Sequence, residues 1–202
     1  MAEVLVIAAH PQLEQSRVTR QLMHAAAAAD PARVELRDLY TLYPDYLIDL
    51  PAEQEALRQA RLVVWLHPMQ WYSMPPLMKL WLDEVFAFGW AYGRGGEALR
   101  GKDLWLAAST GGPEESYRPD GYNRYFFDAF LYPYEQTAAL VGMRWLPPLV
   151  LHGAHRIDKG SLQSHAELFA GRLLQWPAWP EIEEMEPAPE CEVPADARPE
   201  TP

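Results

Sequence analysis

Segments typical of buried strands alternate with segments typical of helices along most of this 202-residue chain. EVLVIAA (3–9), LVVWL (62–66) and DLWLAAS (103–109) are short apolar runs, as expected of strands covered on both faces. Helical patterns stand between them, for example RVTRQLMHAAAAAD at 17–30. Because parallel strands are joined by long crossovers, this alternation predicts an α/β protein whose helices cover both faces of a parallel sheet.

The predicted elements are five strands with crossover helices and no internal repeat. This count favours a flavodoxin-like doubly wound five-stranded parallel sheet of order 2-1-3-4-5. Such a sheet binds its ligand over the carboxyl ends of strands one, three and four. The other predicted strands are RVELRDL (33–39) and RWLPPLVLHG (144–153), and the other helices cover about 52–60, 75–89, 123–142 and a segment capped by Asp158 or Ser161 that ends near Leu174.

Much of the charge of the chain is concentrated at its C-terminus. Of the formal net charge of −11, residues 181–202 supply eight acidic groups and one basic group, or −7. This proline-rich segment has few large apolar groups, so burial cannot offset its ordering entropy. We therefore predict a domain over 1–176 and a disordered acidic tail over 177–202, with docking to a basic partner as the alternative role. The acidic balance disfavours nucleic acid and anionic lipid as partners.

Other bulk properties indicate a cytoplasmic protein. No run of about 18 apolar residues occurs, so no membrane-spanning helix is expected. The N-terminal MAEVLVIAAHP has no basic region of the kind found in signal peptides, and is better explained as a first strand. The only cysteine, Cys191, allows neither an internal disulfide nor a cysteine metal cluster, and we expect no metal site.

The first candidate loop, at 8–19, lies between strand one and the first helix. Ser16, Arg17 and Thr19 would place hydroxyls, a guanidinium and free backbone N–H groups around one point, which is a ready anion site. Neither the dinucleotide-binding motif G-x-G-x-x-G nor the nucleoside-triphosphate-binding motif G-x-x-x-x-G-K-[ST] occurs. The expected ligand is therefore a phosphate monoester, as in a mononucleotide. The alternative is that Ser16 only caps the helix and His10 only ends the strand.

The second candidate loop, Met69 to Tyr72, follows strand three. Its aromatic and amide groups would offer a planar ligand both a stacking face and polar contacts. The loop leads into a helix that opens with two prolines and that Ser73 is expected to cap. The alternative is that the aromatic side chains pack in the core or at a dimer interface. That packing role is assigned to Trp65, Trp81 and Trp90.

The third candidate loop, STGGPEESY at 109–117, follows strand four. Ser109 and Thr110 supply hydroxyls, while Gly111 and Gly112 let the backbone approach a ligand closely. A plain turn is the alternative explanation of this motif. The three loops stand at matching positions of one sheet, and this coincidence favours a common ligand.

Several longer motifs resemble the flavodoxin-like NAD(P)H:quinone oxidoreductases. They are HPMQWYSMPPLMKLWLDEVF (67–86), GWAYGRGG (89–96), the STGG turn and the RWLPP strand. LYTLYPDYLIDLPAEQEAL (39–57) and SYRPDGYNRY (116–125) are most similar to the ancillary subunits of bacterial glutathione-gated potassium-efflux systems. The resemblance covers about residues 3–176.

The resemblance implies FMN as cofactor, with FAD as the alternative, and NAD(P)H as co-substrate. It implies that the phosphate lies at His10 and the turn formed by Ser16, Arg17, Val18 and Thr19. It implies that the ring system is held by Met69, Gln70, Trp71 and Tyr72 and is closed at its other edge by Ser109, Thr110, Gly111 and Gly112.

The resemblance also implies a role for Tyr117 as hydrogen-bond donor to the reduced flavin or to the quinone oxygen. In the mammalian quinone reductases, a tyrosine and a histidine beyond the equivalent turn assist hydride transfer. Tyr117 has the spacing of that tyrosine, but Asn123 stands where the histidine would be. This departure argues against a strict tyrosine–histidine relay.

The implied activity is two-electron transfer from NAD(P)H through the flavin to a quinone or another electrophile, in a ping-pong cycle. The family further implies a homodimer, and the aromatic run 122–134 is a candidate interface, with a lid over the core as its alternative role. Docking at the cytoplasmic face of the inner membrane, as activator of a potassium–proton antiporter, is also implied. The alternatives are a mainly regulatory flavoprotein subunit and a flavin-free structural module.

Overall fold

The structure is a computed structural model that describes residues 2–187. Its strands are β1 (Val4–Ala8), β2 (Val34–Asp38), β3 (Leu62–Pro68), β4 (Asp103–Ser109), β5 (Arg144–Trp145) and β6 (Leu149–Leu151). They form one parallel sheet of order β2-β1-β3-β4-β5, in which β6 also pairs with β4. The predicted flavodoxin-like order is therefore confirmed.

Helices connect the strands. They are α1 (Val18–Ala27), α2 (Leu39–Leu42), α3 (Leu50–Gln59), α4 (Pro76–Val85), α5 (Tyr132–Leu140), α6 (Lys159–Gln175) and α7 (Pro180–Glu183), with short 3-10 helices at Leu13–Gln15, Glu114–Ser116 and Phe127–Phe130. Within residues 2–187, none of them has both the length and the apolar character needed to cross a bilayer.

The sheet separates two apolar cores, one on each face. Side chains of β3 alternate between them: Val63 and Trp65 pack with α3, α4 and α5, while Val64 and Leu66 pack with α1 and α6. Both sets are buried, which explains why this strand is a continuous apolar run in the sequence. Trp65 and Trp81 are buried, and Trp90 packs against the same core, as predicted.

The predicted fifth strand is two strands. Pro147 and Pro148 interrupt it, because proline has no N–H to donate to a sheet ladder. The indole Nε1 of Trp105 donates to the carbonyl of Pro147 at 3.1 Å, which satisfies that carbonyl at the break. β5 and β6 both pair with β4, so the chain returns to the sheet and still reaches its carboxyl edge.

Helix ends show one correct cap and two errors. Asp158 caps α6, accepting from the backbone N–H of Ser161 at 3.0 Å. Ser73 does not cap α4; that helix begins after Pro75 without a side-chain cap. The helix predicted at 123–142 is wrong in its first part, where turns and a 3-10 helix precede α5.

The ordered chain extends beyond the predicted boundary at 176. Trp179 is 1% exposed, and its ring lies edge-on to Trp105 with centroids 4.9 Å apart. Arg172 forms a bidentate ion pair with Glu181, with N–O distances of 2.6 and 2.8 Å, and its guanidinium lies over the ring of Trp179. Residues 177–183 therefore pack with the domain. The rest of the predicted tail from residue 188 lies outside the described residues, so its disorder stays a prediction.

Candidate functional site

The three candidate loops meet at the carboxyl edge of the sheet. The backbone N–H of Met69 donates to the carbonyl of Ser109 at 2.8 Å, and the backbone N–H of Ala9 donates to the carbonyl of Leu66 at 3.0 Å. The loops therefore begin side by side. They border a cavity of about 430 Å³. The predicted residues that line it are His10, Ser16, Arg17, Val18, Met69, Gln70, Ser109, Thr110 and Gly111.

A second cavity of about 200 Å³ adjoins the first, and Met69 lines both. Its walls include Tyr122, Asn123, Phe127 and Phe130. The predicted site residues that line it are Met69, Trp71, Tyr72, Gly112 and Tyr117. Thr19 borders neither cavity and is buried. The predicted residues thus lie around two cavities that share Met69, and the prediction of one common set is wrong for Trp71 and Tyr72, which line the smaller cavity while His10, Gln70 and Gly111 line the larger.

The start of α1 forms the most cationic end of the larger cavity. Ser16 accepts from the backbone N–H of Thr19 at 3.1 Å, so it caps the helix and also lines the cavity. The guanidinium of Arg17 is fixed by a 2.8 Å bond to the carbonyl of Ile157. Because the N-terminus of a helix carries partial positive charge, this end of the cavity favours an anion.

His10 is a neutral donor at the same end. Its Nδ1 accepts from the backbone N–H of Gln12 at 3.1 Å, which leaves the ring proton on Nε2. Burial lowers the pKa of His10, and the nearby carboxylate of Asp38 opposes this shift only in part. At neutral pH the side chain therefore offers one N–H without adding a charge.

Trp71 and Tyr72 form the tip of a tight turn. The backbone groups of Gln70 and Ser73, on either side of this tip, form two hydrogen bonds of 2.8 and 3.1 Å. Ser73 therefore closes this turn and does not cap α4. The two central residues have φ of 48° and 65°, the pattern of a type I′ turn, which normally requires glycine or asparagine. Left-handed backbone costs about 1–2 kcal/mol per residue, so the turn holds strain at the edge of the site.

Replacing Trp71 tests this strain. The side chain is 94% exposed, so its removal alone should change stability little. We expect Trp71→Gly to be more stable than Trp71→Ala by about 1 kcal/mol, because only glycine escapes the left-handed penalty. Urea unfolding of the two variants measures the difference, and equal midpoints would contradict the prediction.

Thr110 connects the third loop to a histidine that the sequence prediction missed. Its hydroxyl donates to the carbonyl of Gly112 at 2.7 Å, so its oxygen must accept from Nδ1 of His152 at 2.9 Å. The His152 ring lies 5.3 Å from the ring of Tyr117. Burial raises the pKa of Tyr117 and lowers that of His152, so both are neutral at physiological pH.

Asn123 joins the second and third loops. Its side-chain oxygen accepts from the hydroxyl of Tyr72 at 3.2 Å, and its amide nitrogen donates to Ser116 at 2.9 Å. Ser116 in turn donates to the carbonyl of Pro113 at 2.7 Å. These hydrogen bonds hold the walls of the smaller cavity together. Unlike the imidazole of a histidine, the amide of Asn123 cannot be protonated to serve in a proton relay.

Several lining residues were not predicted. Gln12 and Gln15 stand in the first loop, where only His10 and residues 16–19 were predicted to bind the ligand. Ala154 and His155 lie after β6, as does His152. A signal for these three existed: their loop also leaves the carboxyl end of a parallel strand, and the rule applied to the other loops covers it.

His67, at the end of β3, is buried beneath the site. Its Nδ1 lies 3.0 Å from the carbonyl of Pro68, its Nε2 has no partner, and its ring stacks on Tyr134. Burial lowers its pKa from 6.5 to about 4. The unfolded chain therefore binds this proton more tightly than the folded one.

The stability of the fold should consequently fall as the pH drops from about 6.5 to 4, by at most about 3 kcal/mol from His67. Above this window the contribution is constant, because the imidazole is neutral in both states. Urea unfolding as a function of pH measures the effect. His67→Gln, which cannot titrate, should have a flatter profile; an unchanged slope would show that His67 is not responsible.

A profile of the flavodoxin-like fold matches residues 2–173, which is most of the chain. The chain belongs to the flavodoxin-like family. A glutathione-regulated potassium-efflux system ancillary protein KefF from Citrobacter koseri is 47% identical over 173 residues, covering 86% of this chain and 96% of the relative.

Two solved structures extend the comparison of this flavodoxin-like chain. General stress protein 14 from Treponema denticola, in complex with FMN, is 36% identical with a TM-score of 0.77, over 86% of this chain and 97% of that one. An NADPH-quinone reductase from P. pentosaceus is 25% identical with a TM-score of 0.76, over 86% and 98% of the two chains.

Proposed function

We propose that this flavodoxin-like protein is an FMN-dependent NAD(P)H:quinone oxidoreductase. The observation that carries the proposal is a pair of cavities that share Met69, one with cationic and N–H donors at one end and the other walled by aromatic rings. The FMN complex and the quinone reductase among the similar structures support it. When bound, FMN would accept a hydride from the nicotinamide and pass two electrons to the acceptor.

The donor set of the larger cavity fits a phosphorylated flavin. No carboxylate is among its lining residues in the described part of the chain, whereas Arg17, His10 and the start of α1 all present donors. A phosphate dianion suits such an end. Toward the other end, the Gln70 amide and the Ser109 hydroxyl can hydrogen-bond the polar edge of a flat ring.

The smaller cavity suits the planar substrates. Tyr72 and Phe130 stack with centroids 5.0 Å apart, and Phe127 forms part of the same wall. Such walls favour flat conjugated rings, namely the nicotinamide and then a quinone or another electrophile. Tyr117 is neutral and borders this cavity, so its hydroxyl is the proposed donor to the acceptor oxygen as negative charge develops there.

Purified protein tests the cofactor directly. Its absorbance spectrum should show a flavin, and mass spectrometry of the released chromophore should give FMN; FAD would correct the cofactor assignment. Reduction of a water-soluble quinone with NADH or NADPH then tests the activity. Protein that stays colourless after incubation with FMN would overturn the proposal and favour a structural module.

We further propose an ancillary role at a potassium–proton antiporter, with the protein peripheral to the membrane. The support is its similarity to the KefF ancillary protein across nearly the whole of that relative. The expected result is that the protein increases potassium efflux through a cognate antiporter in vesicles. No stimulation and no co-purification would leave a stand-alone reductase.

A homodimer is the third part of the proposal. Tyr122, Tyr125 and Phe126 are 71%, 62% and 60% exposed, a concentration of aromatic surface that is unusual on a monomer. Tyr122 also borders the smaller cavity, so a second copy seated here would cover its entrance. Sedimentation equilibrium should give the mass of a dimer at micromolar concentration; a monomer would contradict it.

A further inference from the structure

The loop at 152–157, between β6 and α6, is bound to two of the three loops predicted to hold the ligand. The backbone N–H groups of Gly153 and Ala154 donate to the carbonyls of Gly112 and Thr110, each at 2.9 Å. At its far end, the carbonyl of Ile157 accepts from Arg17 at 2.8 Å. The loop thus connects the phosphate end of the larger cavity to its ring end.

This loop brings the imidazole of His155 to the cavity wall beside Gly111. A Cβ built on Gly111 would lie 3.0 Å from Nε2 and 3.3 Å from Cδ2 of that ring. Gly111 is not among the glycines with positive φ, so its backbone conformation is open to other residues. The obstacle to a side chain at position 111 is therefore His155.

The place of this ring suggests a role toward the ligand. Glycine at 111 was expected to let the backbone approach the ligand, but the space beside it is taken by an imidazole. An imidazole offers both a hydrogen-bond donor and a flat face. At the border of the cavity, between the third loop and the Arg17 anchor, it can contact the chain that links a flavin ring to its phosphate.

We propose that His155 is a further cofactor-binding residue, held in place by the loop at 152–157, and that Gly111 leaves the room its imidazole needs. This inference rests on the proposed function, because the ligand is taken to be FMN.

The test is a titration of flavin-free protein with FMN, followed by quenching of flavin fluorescence. His155→Ala should raise the Kd about tenfold, the effect of losing one good hydrogen bond. Arg156→Ala is the matched control, since this neighbouring residue is exposed, as His155 is, but does not line the cavity. Its Kd should stay within about twofold of wild type.

A double-mutant cycle tests the second half of the proposal. Gly111→Ala should weaken FMN binding in the wild-type background by displacing the imidazole. In the His155→Ala background the same change should have little further effect, because the obstacle is gone. Thermal unfolding of the four flavin-free proteins controls for folding.

The outcomes separate the two proposals. If wild-type protein does not bind FMN, the proposed function fails. If wild type binds FMN and His155→Ala has an unchanged Kd, only the role of His155 fails. If the effects of the two substitutions multiply independently, Gly111 is needed for another reason and the steric part is overturned.

Discussion

Replacing Glu53 by alanine should destabilise the fold by about 3–5 kcal/mol, the range observed when one partner of a buried ion pair is removed. Glu53 lies on α3 and is fully buried. Its carboxylate accepts from Arg37 at 2.6 and 3.0 Å, from the indole of Trp81 at 2.9 Å, and from the hydroxyl of Tyr43. Removing it leaves the Tyr43 hydroxyl and the Trp81 indole without this acceptor, and reduces the ion pairing of Arg37 to its 2.9 Å bond with Glu35.

The network also explains why a carboxylate is tolerated in this core. Burial and the adjacent Glu53 raise the pKa of Tyr43 to about 12, so its phenol remains a neutral donor. Each donor around Glu53 is satisfied by the same two oxygens. Glu53→Gln keeps one acceptor oxygen but loses the charge, and should therefore be less damaging than alanine.

Urea unfolding of flavin-free protein, followed by tryptophan fluorescence at fixed protein concentration, measures the loss. Glu55→Ala is the matched control on the same helix: its partner Arg58 is exposed, and the change should cost no more than about 0.5 kcal/mol. Similar midpoints for the Glu53 and Glu55 variants would mean that the buried network contributes little.

Replacing Tyr117 by phenylalanine should lower quinone turnover on the order of 10²- to 10³-fold while leaving FMN bound, the usual effect of losing one hydrogen-bond donor to a developing negative charge. The ring contacts of Tyr117 with Phe127 and Phe130 survive the change, so the wall of the cavity keeps its shape. Only the hydroxyl, the proposed donor to the acceptor oxygen, is lost. The decrease is expected in kcat, since the charge on the acceptor oxygen develops during reaction.

Steady-state kinetics with saturating NAD(P)H and a titration with FMN provide the two readouts. Tyr46→Phe is the control, because that residue is exposed, borders neither cavity and lies outside the proposed dimer surface. It should stay within about threefold of wild type. An unchanged kcat in Tyr117→Phe would remove this residue from the reaction, whereas a loss of FMN affinity would indicate a binding role instead.

Much of the fold follows from local patterns in the sequence. Continuous apolar runs such as residues 62–66 favour buried strands, and the crossovers between them then favour a parallel sheet. The break at Pro147 was visible as a proline pair but was overlooked within a longer apolar run. The burial of Trp179 was not predicted, because the segment around it is acidic and rich in proline. Its burial depends on contact with Trp105, which is distant in the sequence.

The candidate site was predictable only where strand ends could be located. The position of strand ends predicts correctly that three loops are neighbours, and the same argument covers the loop after β6 that carries His152 and His155. The left-handed turn at Trp71 and Tyr72 has no local signal, because neither residue favours that conformation. Tyr72 in this turn stacks on Phe130 and donates to Asn123, and no periodicity in the sequence records such contacts.

The packing of Trp179 on Trp105 has a practical consequence for anyone who trims this protein. The indole of Trp176 donates to the carboxylate of Asp103, which also forms a bidentate ion pair with Arg144. These three residues lie at the edge of the sheet opposite the cavities. Truncation before residue 176 would expose Trp105, remove one of the three hydrogen bonds that Asp103 accepts, and favour aggregation. Expression vectors designed on the family boundary near residue 173 should therefore carry the chain on to at least Glu183.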